Sequence, residues 1–122
     1  MFKEMYLAAT LDNFSRNDPS CIKPEQILYM ATKAGADSIG LDYCDNLEVG
    51  KKADLVLLDV HQPNMQPVNK IINNIVYSGS NNNVLLTIVN GEILYENGEY
   101  HIGIEPKDVY SKLALLLKKI RE

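Results

Sequence analysis

The dipeptide Asn90-Gly91 lies between two apolar-rich runs and constrains the fold more than any other feature of the sequence. Both residue types tolerate the positive φ angles that a two-residue hairpin turn requires. We therefore expect Val84–Val89 and Glu92–Glu96 to pair as antiparallel strands. A second Asn-Gly dipeptide, at 97–98, precedes residues 99–102 and extends the predicted hairpin to a small antiparallel meander.

Helical periodicity dominates the first third of the chain. An apolar stripe at positions i, i+3, i+4 and i+7 predicts a first helix, with Phe2, Met5, Tyr6 and Ala9 on one face. Residues 13–20 are polar and are interpreted as a loop. Pro24 suits the first turn of a second helix, whose stripe consists of Ile27, Met30, Ala31 and Ala34. Gly35 weakens this helix, so residues 36–41 are expected to form a separate short turn of helix.

Later segments alternate between the two secondary structures. The apolar run Leu55–Leu58 predicts a short buried strand. Residues 61–67 contain two prolines and form a connector, and residues 68–77 are interpreted as a short helix. Pro106 opens a last helix, in which the apolar residues are spaced four, three and four apart: Val109, Leu113, Leu116 and Ile120. The predicted class is therefore α+β.

These elements pose a packing problem. Three or four strands are too few to close a barrel or to form a two-layer sandwich. The strand at Leu55–Leu58 is apolar on both faces, and such a strand needs cover on each side. We therefore expect another segment or another subunit to complete the structure.

Charge and composition exclude several kinds of partner. The 12 Lys and Arg residues are outnumbered by 16 Asp and Glu, a net charge of -4, which disfavours nucleic acid and anionic membranes. No apolar stretch approaches the roughly 20 residues needed to span a bilayer, and residues after Met1 do not resemble a secretory signal. A cytoplasmic location is expected. Cys21 and Cys44 form no CxxC pair and are expected to be free thiols, although the sequence leaves a disulfide open.

Three segments, in this order, resemble those of cytosine-deaminase-like amidohydrolases. Residues 30–41 resemble a MATxxGAxxLGL helix, residues 47–59 an LexGKxADLvllD segment, and residues 84–98 a closing VxxviVnGxxvxexG hairpin. Residues 1–9 are similar to the DMFEEMRLAA helix, and residues 62–63 with 74–78 to the QPHxxP…HLVYS stretch, of methylthioadenosine/S-adenosylhomocysteine deaminases and related chlorohydrolases. This subgroup is favoured over guanine deaminases and imidazolonepropionases.

The resemblance implies a distorted (β/α)8 barrel joined to a small β-sandwich that is built from both ends of the family's chain. In that scheme residues 1–41 are the last helices of the barrel. Residues 42–104 are the carboxy-terminal part of the sandwich, and residues 105–122 form a terminal helix. The other strands of the sandwich would come from the family's amino-terminal segment, which this sequence lacks. The expected fold is thus an α+β fragment of a larger enzyme.

The same resemblance implies hydrolytic deamination of a purine-type nucleoside, similar to methylthioadenosine or S-adenosylhomocysteine, by a divalent metal, zinc or iron. Such a metal lowers the pKa of bound water to about 7. The family's ligands are an HxH motif, two later histidines and an aspartate before the DMF helix. This sequence has only His61 and His101, forty positions apart. No catalytic, cofactor-binding or metal-ligating residue of the family maps to it, and we expect the chain to be inactive alone.

Basic residues and histidines invite functional interpretations, and each has a structural alternative. His61 and His101 are expected to be ordinary surface histidines. Gly50-Lys51-Lys52 does not complete a phosphate loop, because Asp45 stands where the first glycine of GxxxxGK[ST] belongs and Ala53 replaces Ser or Thr.

Acidic, aromatic and sulfur-containing side chains receive similar interpretations. Asp54 and Asp59 flank a strand and are expected to cap turns rather than bind a metal. The side chains Tyr6, Tyr29 and Met30 lie on helical stripes and are expected in the core. Cys44 lies in a polar loop and could be reactive, though no neighbour in sequence activates it.

Three functional hypotheses remain open at this stage. The preferred one is part of a deaminase-like enzyme, completed by the rest of that enzyme or self-associating through exposed apolar surface as a homo-oligomer. The second is a non-catalytic module that folds and dimerises through the same surface. The third is a distinct small enzyme that uses His61 or His101.

Overall fold

Among the residues that the structure describes, five α-helices accompany one small antiparallel sheet. The computed structural model describes residues 1–18 and 21–121, with the backbone only of residue 121. The helices are α1 (Phe2–Arg16), α2 (Pro24–Ala31), α3 (Lys33–Ser38), α4 (Ile71–Ser78) and α5 (Pro106–Arg121). The strands are β1 (Leu55–Leu58), β2 (Val84–Val89), β3 (Glu92–Glu96) and β4 (Glu99–Tyr100). Single 3-10 turns occupy Pro63–Met65 and Asn81–Asn83. The predicted α+β class and the predicted order of elements are confirmed.

The hydrophobic core lies between α1, α2 and α4. Met5 and Ala9 of α1 pack with Ile27 of α2 and Val76 of α4, and each of these side chains is at most 5% exposed. Burial of one large apolar side chain stabilises a fold by roughly 1.5–3 kcal/mol. Of the predicted stripes, Met5 and Ala9 of the first helix and Ile27 of the second therefore form the part that packs with α4.

The four strands form one sheet in the order β1-β2-β3-β4, with every neighbouring pair antiparallel. Asn90 and Gly91 have φ angles of 52° and 83°, as a two-residue hairpin turn requires. Asn97 and Gly98, at 47° and 97°, form the second turn. The predicted meander is confirmed, although its last strand ends at Tyr100.

Two helix boundaries differ from the prediction. The first helix continues through residues 13–16, where a loop is predicted, because Arg16 pairs with Asp12 at 3.0 Å and Asn17 closes the helix in a left-handed conformation. The rest of that predicted loop includes residues 19–20, which lie outside the described residues. The second helix breaks at Thr32 (φ -119°, ψ -96°), and Gly35 lies within α3.

Large apolar side chains remain exposed on several elements. Tyr6, Tyr29 and Met30 are 48%, 51% and 54% exposed, so the prediction that they lie in the core is wrong for this chain. Val56 and Leu57 of β1 are about half exposed, at 54% and 52%. The cover predicted for this strand is thus not supplied by the described residues. None of the described helices is both long and apolar enough to cross a membrane.

Candidate functional site

Asn83 has no exposed surface, and both its amide oxygen and its amide nitrogen form hydrogen bonds within the chain. Its carbonyl oxygen Oδ1 accepts hydrogen bonds from Asn64 Nδ2 at 2.8 Å and from the Ser80 backbone N–H at 2.9 Å. The Ser80 hydroxyl donates to the same oxygen at 3.1 Å. Three donors therefore converge on one acceptor at the start of β2.

The amide nitrogen of Asn83 donates in other directions. Its acceptors are the backbone oxygen of Asp59 at 3.2 Å, Gln62 Oε1 at 3.3 Å and Asn64 Oδ1 at 3.2 Å. The backbone carbonyl of Asn83 also accepts from the Asp59 N–H at 2.7 Å. One buried side chain thus joins the end of β1, the connector after it and the turn before β2. A buried amide with all its partners specifies one arrangement of these segments.

A second polar cluster surrounds Asp45, whose side chain is only 3% exposed. The carboxylate pairs with the ammonium groups of Lys33 and Lys51, the latter at 2.7 Å. Hydrogen bonds from Lys33 and then Lys51 lower the pKa of Asp45 to about 2. The pKa values of both lysines are raised, chiefly by the hydrogen bond to Asp45. The cluster fastens α3 to the turns after it and leaves no free carboxylate for acid-base chemistry.

A groove of about 770 Å³ lies between the first turns of α1 and the residues that follow α4. Its lining combines residues 1–4, Tyr6, Leu7 and residues 77–82. The groove carries amide, hydroxyl, phenol, ammonium and carboxylate groups but neither histidine nor cysteine, so it offers polar, charged and aromatic contacts.

Each histidine and each predicted capping residue has a clear place in the structure. His61 and His101 are both exposed, as predicted. Asp59 Oδ1 accepts a hydrogen bond from the His61 backbone N–H at 2.8 Å, and Asp54 accepts one from the Asn90 N–H at the hairpin turn. The prediction that both aspartates cap turns is confirmed.

The lysines of the Gly50-Lys51-Lys52 segment are engaged within the chain. Lys51 donates to Asp45 and to the Asp42 backbone oxygen, and Lys52 Nζ lies 4.7 Å above the centre of the Tyr43 ring.

Both cysteines are free thiols, and the disulfide left open by the sequence is not formed. Burial raises the pKa of Cys44, and a hydrogen bond to Asp54 raises it further. Burial likewise raises the pKa of Cys21. A raised pKa reduces the thiolate population, which is the reactive form, so neither thiol is activated as a nucleophile.

The side chains that the structure describes do not form a site for a resident metal ion. Across residues 1–18 and 21–121, no three His, Cys, Asp or Glu side chains gather closely enough to hold one. Zinc sites in enzymes use at least three protein ligands, mainly histidines.

Sequence reasoning missed both polar clusters. Asn83 lies in an Asn-Asn-Asn run that has the composition of a turn, and nothing in that run distinguishes the buried residue from its exposed neighbours. Asp45 was considered only as a position that breaks a phosphate-loop pattern. A hydrogen-bonding side chain becomes identifiable as a hub only when its distant partners are known.

Comparison with solved structures defines the class of protein. The fold superposes on a zinc-bound adenosine deaminase from Xanthomonas campestris with a TM-score of 0.91 and 26% identity, over 99% of this chain and 28% of that one. A mutant atrazine chlorohydrolase from Arthrobacter aurescens, complexed with zinc and atraton, gives a TM-score of 0.80 at 24% identity. That match covers 94% of this chain and 26% of the other, and at this identity it shows the fold alone. The fold is thus one that zinc-binding hydrolases contain.

Residues 1–94 match the Amidohydrolase family, and the chain belongs to this family. A 5-methylthioadenosine/S-adenosylhomocysteine deaminase from Dictyoglomus thermophilum is 37% identical over 110 residues, 90% of this chain and 26% of that protein. The enzyme of that name from Moorella thermoacetica is 37% identical over 120 residues, 98% of this chain and 28% of that protein. The chain spans about a quarter of the length of these relatives. The predicted resemblance to amidohydrolases of the deaminase and chlorohydrolase group is confirmed.

Proposed function

We propose that this chain forms the carboxy-terminal part of a metal-dependent amidohydrolase that deaminates a purine-type nucleoside, similar to 5-methylthioadenosine or S-adenosylhomocysteine. The observation that carries the proposal is the match of 98% of the chain to 28% of a Moorella thermoacetica deaminase of that specificity. In this proposal the chain contributes helices and strands to the scaffold of the enzyme. The metal ligands and the proton-transferring groups belong to the remaining part.

Two properties of the chain favour a structural role over a catalytic one. Its only histidines, His61 and His101, are exposed and belong to the connector after β1 and the end of the sheet. The most buried polar groups, Asn83 and Asp45, have their hydrogen-bonding capacity directed at other parts of the same chain. We therefore expect the chain to be inactive alone.

Within the complete enzyme, the proposal assigns residues 1–41 to the last helices of a (β/α)8 barrel. Residues 42–104 belong to the carboxy-terminal part of a β-sandwich, and residues 105–122 form a terminal helix. The half-exposed apolar side chains of β1 support this division, because they match a sheet that another set of strands covers. The remaining part of the enzyme, or a second copy of this chain, is the partner we propose. The cytoplasmic location stays a prediction.

The test uses a chimera in which this chain replaces the matching last quarter of the Moorella thermoacetica enzyme. Deamination of 5-methylthioadenosine, S-adenosylhomocysteine and adenosine is measured by the loss of absorbance that accompanies conversion of the adenine ring, and bound zinc is quantified by mass spectrometry. We expect the chimera to be active and to bind zinc. The chain alone should do neither.

A matched control carries Asn83→Asp in the same chimera, and a second carries Asn82→Asp at an exposed position in the same turn. The first should lower the thermal stability of the chimera, whereas the second should leave it unchanged. Turnover by the purified chain alone would contradict the proposal and would favour the small-enzyme hypothesis. A folded chimera that binds zinc but deaminates none of the three nucleosides would contradict the proposed substrate class.

A further inference from the structure

Both hairpin turns of the sheet consist of Asn-Gly dipeptides, and the two residues of such a pair can react with each other. The backbone nitrogen of the glycine follows the asparagine directly, and glycine has no Cβ to obstruct its approach to the asparagine side chain. Asparagine is among the thermolabile residues of proteins. Asn90-Gly91 and Asn97-Gly98 are all exposed, and the two asparagines have similar φ angles of 52° and 47°. Residue type, exposure and turn conformation therefore do not distinguish the two turns.

Hydrogen bonds protect the first turn. The Gly91 N–H donates to the Ala53 backbone oxygen at 3.0 Å, and the Asn90 N–H donates to the Asp54 carboxylate. The glycine nitrogen can attack the side chain only after it has lost its proton, so the reaction here must first break the hydrogen bond to Ala53. Both acceptors directly precede β1, so they also fasten this turn to the neighbouring strand.

The second turn lacks this protection. The Asn97 N–H donates to the Leu85 backbone oxygen at 2.8 Å, but in the part of the chain that the structure describes no hydrogen bond has the Gly98 N–H as its donor. The strand that follows, β4, contains only two residues and lies at the edge of the sheet. Glu96 and Glu99 are directly opposed on either side of this turn, and like charges in that position destabilise strand pairing. The second turn therefore opens at a lower free-energy cost than the first.

We propose that Asn97, rather than Asn90, is the asparagine of the two hairpin turns at which this chain deamidates. The Gly98 nitrogen, its proton passed to hydroxide, forms a bond to Asn97 Cγ and closes a succinimide ring. The side-chain nitrogen leaves and takes a proton from water, which gives ammonia and regenerates hydroxide. A second water molecule then breaks one of the two ring C–N bonds: attack at the side-chain carbonyl gives aspartate, and attack at the backbone carbonyl gives isoaspartate. Each conversion consumes one water and releases one ammonia, and nothing is oxidised or reduced.

The preference depends on contacts inside the chain. The two hydrogen bonds of the first turn join residues 90–91 to residues 53–54, and both turns are equally exposed. The inference therefore depends neither on the proposed deaminase nor on any segment that covers the sheet.

Peptide mapping of the purified chain by mass spectrometry tests the proposal. The chain is incubated at neutral and at mildly alkaline pH, in native buffer and in urea. Conversion changes the peptide mass by the difference between an amide and a carboxyl group, and chromatography separates the isoaspartyl from the aspartyl product. For each asparagine, the rate in urea divided by the rate in native buffer defines its protection by the fold, which removes the effect of the preceding residue.

We expect protection at Asn90 to exceed protection at Asn97 by at least about fivefold, the factor to which one net hydrogen bond corresponds. Both rates should rise with pH, because hydroxide removes the glycine proton. Equal protection of the two asparagines, or better protection of Asn97, would overturn the proposal. So would a native chain that forms no isoaspartate at position 97 during a period in which the chain in urea converts both sites.

Three variants serve as controls. Asp54→Ala removes the acceptor of the Asn90 N–H and should lower protection at Asn90, while unchanged protection at Asn97 in the same molecule shows that the chain is folded. Asn90 as well protected in this variant as in the unaltered chain would contradict the proposed cause. Asp59→Ala removes an acceptor that serves His61, away from both turns, and should leave both protections unchanged. Asn97→Gln should show no conversion at position 97, because the longer side chain would have to close a larger ring.

Discussion

Replacement of Asn83 by aspartate tests how much one buried amide contributes to the fold. The two side chains have almost the same shape, but aspartate offers only acceptors at pH 7. The Asn83 amide nitrogen now donates towards the Asp59 backbone oxygen, Gln62 Oε1 and Asn64 Oδ1, at 3.2 to 3.3 Å. In the variant a charged oxygen would face those acceptors in a site with no exposed surface.

The magnitude follows from the groups left without partners. An unsatisfied buried hydrogen-bonding group costs about 1–3 kcal/mol, and more when it is charged. Asn64 cannot turn its amide without losing its own hydrogen bonds to residue 83 and to the Ser78 backbone oxygen, so the Asp59, Gln62 and Asn64 acceptors all lose their donor and a charge is buried. We therefore expect Asn83→Asp to reduce the free energy of unfolding by about 3 kcal/mol, a large fraction of the roughly 5 kcal/mol typical of a small domain.

Urea denaturation followed by circular dichroism measures this difference, and Asn82→Asp in the same turn is the control, because the Asn82 side chain is exposed. The difference in free energy of unfolding between Asn83→Asp and that control should shrink as the pH falls, because protonation of the new carboxylate removes the buried charge and restores a hydrogen-bond donor. If the free energy of unfolding of Asn83→Asp lay within about 0.5 kcal/mol of the control's at pH 7, the hydrogen bonds of Asn83 would not hold these segments together.

Three further outcomes follow from the structure. Asp45, with its pKa lowered to about 2, should stabilise the fold fully above pH 4 and lose that contribution as the pH falls towards 2. Asp45→Asn should remove this part of the pH dependence of unfolding. Gly79→Ala should lower the free energy of unfolding by roughly 1–3 kcal/mol in the same urea assay, because the new Cβ would lie 2.5 Å from the Ile75 backbone oxygen and 2.8 Å from the Phe2 ring. Cys44, whose pKa is raised, should react with iodoacetamide at neutral pH more slowly in the native chain than in urea, and equal rates would contradict its burial.

Local signals predicted the elements whose conformation depends on neighbouring residues. Asn90-Gly91 specified its hairpin because few other residue pairs adopt two positive φ angles without strain. Pro106 marked the start of α5 for a similar reason, since proline lacks an N–H and has a fixed φ that suits a first helical turn. Asp59 was correctly interpreted as a turn-capping residue because its partner, the His61 N–H, lies two positions along the chain.

Errors arose where packing overrode local preference. Gly35 was expected to break a helix, but the break occurs at Thr32, whose hydroxyl donates to the Leu28 backbone oxygen at 2.7 Å. Tyr6 shares an apolar stripe with Met5, yet only Met5 faces α4 and is buried. A stripe defines a helix face, whereas the neighbouring helix decides how much of that face is covered.

The sequence by itself determined the family, the order of helices and strands, and the shortage of strands for a closed sheet. These properties depend on residue types at short spacings, which are visible in one chain. Only the tertiary structure identified Asn83 and Asp45 as the polar centres and showed which apolar faces stay uncovered. The physical reason is that a buried hydrogen bond or ion pair joins residues far apart in sequence: Asn83 and Asp59 meet across 24 positions, and no local pattern encodes that encounter.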